Sequence, residues 1–173
     1  MANTVEKKFV LRSKNITLTY EHNPYSVEVY APKKGLDKTI VFPIFNYQGN
    51  VVYRDLISRI VEQGYKVVTV SLLNHGDRVL FFNYYYDVFE ELLEELHLKR
   101  VIGNEELIAM GIGLGANIAS YANFYKNKEL KFSKIILISP YNRYKCDYRI
   151  SREIGKFNIP THIFYGQFDK IND

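Results

Sequence analysis

The part of the chain with the clearest capacity for chemistry is Glu106–Ala116, ELIAMGIGLGA, where Gly111, Gly113 and Gly115 alternate with apolar residues. The pattern reads as a strand, a glycine-dense sharp turn and the start of a helix. Gly111–Ala116 also satisfies G-x-G-x-x-A, a dinucleotide fingerprint. That fingerprint needs an acidic residue about 20 residues later, near the tip of the next strand. The next strand ends in Ser139-Pro140 without a carboxylate, and several strands precede this turn, so nucleotide binding is disfavoured. The four histidines, His22, His75, His97 and His162, show no ligand spacing, so neither a metal nor any other cofactor is expected. The single cysteine, Cys146, excludes an intrachain disulfide. Ser71 reads as a packing residue at a strand end, and neither Ser139 nor Cys146 is favoured as a nucleophile.

These residues must be positioned by regular elements, and from residue 39 strand and helix signals alternate. Thr39–Phe45 is a short apolar, β-branched run that reads as a buried strand. Tyr53, Leu56, Ile57, Ile60 and Val61 then follow helical spacing, opposite Arg54, Asp55, Arg59 and Glu62, with Gly64 as a stop signal. Lys66–Leu72 is a second buried strand. Phe82–Leu98 is a second helix, with Tyr85, Val88, Phe89, Leu92, Leu93 and Leu96 on one face. Glu106–Met110 is a strand, Leu114–Tyr125 a helix, and Lys134–Ser139 and Thr161–Tyr165 further strands. A short helix is expected between Tyr141 and Pro160. Upstream, Phe9–Tyr20 and Tyr25–Ala31 read as an antiparallel hairpin bridged by Glu21–Pro24. The sum is an α/β protein with a mostly parallel sheet flanked by helices. All 173 residues read as one domain: an N-terminal strand hairpin over 1–31, then βα repeats over 39–173.

Composition narrows the partners. The chain is 47% hydrophobic and 24% charged, with no apolar run near the ~18 residues of a spanning helix. The N-terminal MANTVEKKFVLRSKN lacks the apolar core of a signal peptide, which points to the cytoplasm. A net charge of +4 is spread along the chain, with one concentration in Asn142–Lys156, so nucleic acid is not an expected partner. With 15 Tyr and 11 Phe, much aromatic bulk must be buried, and Phe81–Tyr86 (FFNYYY) reads first as packing at a helix start.

Four landmarks, in order, resemble the α/β-hydrolase fold superfamily. Val41–Asn50 (VFPIFNYQGN) is similar to its third strand and the following loop, and Tyr65–Asp77 (YKVVTVSLLNHGD) to the strand entering an N-H-G loop. Glu106–Ala116 resembles its G-x-S-x-G elbow, and Ile159–Asp169 (IPTHIFYGQFD) its late strand followed by G-x-x-D. The resemblance implies an elbow at Gly113 and a triad acid at Asp169. It implies oxyanion donors on the backbone near Phe45 and at Leu114, and a pocket bordered by Asn46, Tyr47 and His75. It also exposes two departures. Gly113 stands where the nucleophilic serine belongs, and no histidine follows Asp169, so by triad logic only the acid is kept.

Three functions fit this pattern. One is a catalytically impaired or inactive hydrolase homologue binding a small acyl or ester-like ligand, or a protein partner. A second is a truncated or altered form of a serine carboxylic-ester or thioester hydrolase, which the ending straight after the acid fits. A third is an interaction module. The fold is expected to lack its last strand and helix, leaving Thr161–Tyr165 as an edge where a second copy or a partner would pair.

Overall fold

The computed structural model describes residues 11–45, 48–72, 82–125, 129–141 and 154–166. Within them lie seven strands: β1 (Ser13–Tyr20), β2 (Asn23–Tyr30), β3 (Lys38–Ile44), β4 (Lys66–Ser71), β5 (Glu106–Ile112), β6 (Phe132–Ile138) and β7 (Thr161–Phe164). The helices are α1 (Arg54–Glu62), α2 (Phe82–Leu98) and α3 (Leu114–Ser120). One sheet takes all seven strands in the order β1-β2-β4-β3-β5-β6-β7. β1 and β2 join antiparallel, as does β2 with β4, and every pairing from β4 to β7 is parallel.

The strand pleat divides the core between two faces. Ile40, Phe42 and Ile44 of β3 join Ile108 and Met110 of β5 under Ile57 and Val61 of α1. The alternate residues, Val41, Leu107 and Ala109, face α2 and α3 with Val68 and Val70. Side chains of a strand alternate between faces, so helices cover both sides, as the near-continuous apolar runs imply.

Gly64 ends α1 as expected. Its φ of +93° is in the left-handed region, and its N–H donates to the Val61 carbonyl at 2.9 Å. Several boundaries differ from the sequence reading. β2 begins at Asn23, because the hairpin turn is only Glu21 and His22, with φ of +47° and +67°. Positive φ at both central residues is the type I′ pattern, usually carried by Asn-Gly, so Glu-His gave no local signal. The helix expected over Leu114–Tyr125 stops at Ser120 and tightens to a 3₁₀ turn at Tyr121–Asn123. There Ser120 Oγ donates back to the Asn117 carbonyl at 2.6 Å, and Asn123 Oδ1 accepts from the N–H groups of Asn158 and Ile159. Polar side chains that bond nearby backbone compete with helical continuation. β5 extends two residues beyond Met110, carrying the strand to the lip of the glycine turn. A 3₁₀ turn at Ile154–Lys156 lies in the segment where a short helix is expected before β7.

Pro43 lies inside β3, a central strand, although proline cannot donate to a ladder. Its position is permitted because pairing of β3 with β5 ends at Val41↔Ala109, while pairing with β4 continues to Ile44↔Ser71. The Ile44 carbonyl accepts from Leu72 N–H on the β4 side, so alternation turns the backbone groups of Pro43 towards β5. The absent N–H therefore falls where β3 and β5 have already parted.

Candidate functional site

The fork between β3 and β5 opens at the carboxyl ends of the parallel strands, where open α/β sheets bind ligands. α3 enters this fork. A Cβ placed on Gly115 would come within 2.5 Å of the Pro43 carbonyl oxygen and 3.7 Å of the Phe45 nitrogen. A Cβ on Gly111 would overlap the Gly115 carbonyl and come within 2.5 Å of the Ala116 Cα. Both glycines are thus required by close backbone approach: one where the helix crosses β3, the other where it leaves its own strand.

Gly113, between them, is governed differently. Its φ of +58° and ψ of −126° match the first central position of a type II′ turn, where glycine is the default. A side chain there would meet nothing within 4 Å among the described residues. Its N–H donates to the Ile138 carbonyl at 2.9 Å, extending the β5–β6 ladder, and its carbonyl accepts from Ala116 N–H at 3.1 Å. The turn is a strand-to-helix elbow whose apex meets no described residue and bears no side chain.

Other interactions brace the elbow. Asn117, fully buried in α3, donates through Nδ2 to the Tyr141 carbonyl and accepts the Tyr141 N–H on Oδ1, each at 2.8 Å. This clamp ties α3 to the chain leaving β6. Ser139, at the end of β6, has a φ of +45°, and its N–H donates to the Phe164 carbonyl at 2.7 Å. Phe45 meets Tyr85 edge-on, ring centroids 4.7 Å apart. Tyr85 and Tyr86 are buried, so these two aromatics at the start of α2 serve as packing. Asn50, just after the loop that follows β3, donates to Tyr30 Oη at 2.7 Å, and Tyr30 donates to Glu28 at 2.6 Å. Burial, reinforced by that bond, raises the Tyr30 phenol well above its ordinary range.

Of the site residues expected from sequence, Gly113, Leu114 and Phe45 are brought together at the fork. Asn46, Tyr47, His75 and Asp169 lie outside the described residues, as does Cys146. Ser71 ends β4 in its strand pairing, opposite Ser26 of β2. Sequence reasoning missed Asn117, whose signal was a lone amide inside the apolar run Leu114–Ala119, and the Asn50–Tyr30–Glu28 relay, which leaves no pattern in the sequence. A depression of about 400 Å³ lined by His97, Arg100, Ile102, Gly103, Asn104 and Glu105 lies at the opposite, amino-terminal end of the sheet. There Glu105 is bonded to Lys66 and Thr39, and His97 to Glu129. Among the described residues no three His, Cys, Asp or Glu converge as a metal site, and no helix is long and apolar enough to cross a membrane.

No protein-family model matches the chain, and no curated relative is detected. Solved structures do resemble it. An α/β serine hydrolase without a lid from Xanthomonas campestris superposes with a TM-score of 0.71 at 19% identity, over 95% of this chain and 76% of that one. An α/β serine hydrolase homologue from Coxiella burnetii gives 0.65 at 13% identity, over 91% and 88%. A probable hydrolytic enzyme from Pseudomonas aeruginosa gives 0.54 at 19% identity, over 78% of this chain, which spans only 43% of that enzyme's length. Strand order, crossed elbow and these likenesses agree: the chain is an α/β-hydrolase-fold protein.

Proposed function

We propose that this chain is a hydrolase-fold protein without the serine mechanism, which binds a small acyl or ester-like ligand at the elbow. One observation carries the reading: the elbow keeps its steric requirements at Gly111 and Gly115 while its apex, Gly113, has no side chain. Without an Oγ there is no acyl-enzyme. The backbone N–H groups of Leu114 and Phe45 still flank the fork, and preorganised donors of this kind hold a carbonyl oxygen whether or not chemistry follows. In this reading Asn46, Tyr47 and His75 border the ligand and Asp169 is a relic acid.

The test is fluorophosphonate labelling and p-nitrophenyl acetate hydrolysis by this chain beside Gly113→Ser. Neither labelling nor turnover is expected from the chain as it stands. Labelling of the serine form alone would show that the elbow and its donors remain built. Serine-dependent turnover by the unmodified chain would overturn the proposal.

A second reading, partner binding at Thr161–Tyr165, is favoured by β7. Its described pairing is with β6 only, and Phe164 and Tyr165 are 56% and 53% exposed. An exposed edge strand is a template for pairing. A monomeric elution profile at high micromolar concentration would count against a homodimer there.

A further inference from the structure

Ser139 sits in a conformation that its residue type resists. A φ of +45° is left-handed, a region non-glycine residues visit at a cost. Pro140 follows, and a residue before proline favours extended backbone. The surroundings hold the residue there regardless. The carbonyl before it accepts from Gly113 N–H at 2.9 Å, its own N–H donates to Phe164 at 2.7 Å, and Tyr141, two residues on, is clamped twice by Asn117. Were the turn the only requirement, glycine would meet it without strain. Serine adds a hydroxyl, and that hydroxyl makes no hydrogen bond to a described residue.

Its location gives the hydroxyl a use. Ser139 is half-buried at the carboxyl end of β6, one strand over from Gly113, whose apex meets no described residue. A strained residue fixed by its neighbours, at the end of the sheet that binds ligands, is where functional groups concentrate. Among the described residues at the neighbouring strand ends, Phe45, Leu114, Ile138 and Phe164 are apolar. One neutral hydroxyl among them suits a ligand with a single acceptor on an otherwise apolar, uncharged body. We propose that Ser139 contacts the ligand, its hydroxyl donating to the carbonyl oxygen of a small neutral acyl group seated over Gly113. This inference rests on the ligand-binding reading above and names the residue and the ligand charge within it.

The experiment titrates methyl 4,4,4-trifluorobutyrate, an uncharged acyl probe without a hydrogen-bond donor, by fluorine NMR against the full chain, Ser139→Ala and Ser139→Gly, with thermal melts in parallel. Both substitutions are expected to weaken binding about fivefold, the loss of one neutral hydrogen bond. The Tm of Ser139→Gly is expected at or above that of the unsubstituted chain, because glycine accepts the positive φ. Equal binding by all three proteins overturns the role of Ser139 alone. So does a fall in the Tm of Ser139→Gly by several degrees alongside its binding, since the hydroxyl would then serve the fold. Absence of saturable binding by the unsubstituted chain overturns the ligand reading itself, and the Ser139 role with it.

Discussion

The two ends of the parallel sheet are held together by different means. At the amino-terminal end the joints are made by charged side chains. Lys66 meets Glu105 at 2.6 Å and also bonds the Val101 carbonyl, Thr39 donates to Glu105 at 2.8 Å, and Lys38 pairs with Glu106 at 2.9 Å. At the carboxyl-terminal end the joints are made by backbone. Gly115 lies on Pro43, Gly111 on Ala116, and the side chain of Asn117 serves as a polar clamp. Side-chain joints tolerate substitution because a long side chain can move. Backbone joints do not, and they leave the space above them clear. At the amino-terminal end Lys66, Thr39 and Glu105 bond one another, while His97 Nδ1 is buried without a partner among the described residues; at the carboxyl-terminal end no described residue lies within 4 Å of a side chain added at Gly113. This contrast, more than the depression near His97, points to the carboxyl-terminal end as the candidate site.

The largest effect that would break this comparison lies at the backbone joints. Gly111→Ala and Gly115→Ala each force backbone against backbone and are expected to cost about 3 kcal/mol, near the upper end for overpacking. Chemical denaturation measures this, and a cost under about 1 kcal/mol for either would show the elbow to be slack. Glu105→Gln is next, at about 1–2 kcal/mol, because the half-buried Lys66 ammonium loses its counter-charge. This effect should depend on pH. Burial opposes the charge on Glu105, but the bonds from Lys66, its own backbone and Thr39 outweigh it and hold the carboxyl below its ordinary value. A depressed folded value means the group stabilises above the unfolded carboxylate pKa of about 4.3, and that stability is lost as pH falls through the lower folded value. Melts from pH 7 down to pH 3 should therefore show the two proteins converging below about pH 4. Smallest is Gly113→Ala. With nothing to strike, it costs only the strain of a positive φ, about 1–2 kcal/mol. A cost equal to that of Gly115→Ala would erase the distinction between the apex and its flanks.

The amphipathic spacing around Ile57 and Val61, and the apolar runs at Thr39–Phe45 and Lys66–Leu72, made the layers of the fold legible. Burial on one or both faces writes a period into the sequence. The elbow was legible because steric crowding at Gly111 and Gly115 admits no other residue type. What sequence did not reveal depended on unique local geometry. A Glu-His turn has no type I′ signature, Ser120 and Asn123 redirect a helix end through single hydrogen bonds, and Ser139 looks like any serine before a proline until its φ is known. Pro43 inside a buried strand is accounted for only by the parting of β3 from β5.

Gly113 also has a consequence for how such a sequence changes over generations. Any L-residue at this apex carries a standing penalty in stability that no neighbour imposes and no repacking can relieve. Glycine removes that penalty without disturbing a contact. Where selection acts on stability alone the position therefore favours glycine, and a side chain persists only while selection rewards its chemistry. The flanking positions have no such freedom, since there the fold itself enforces glycine. An elbow can in this way lack a reactive group and keep its shape indefinitely.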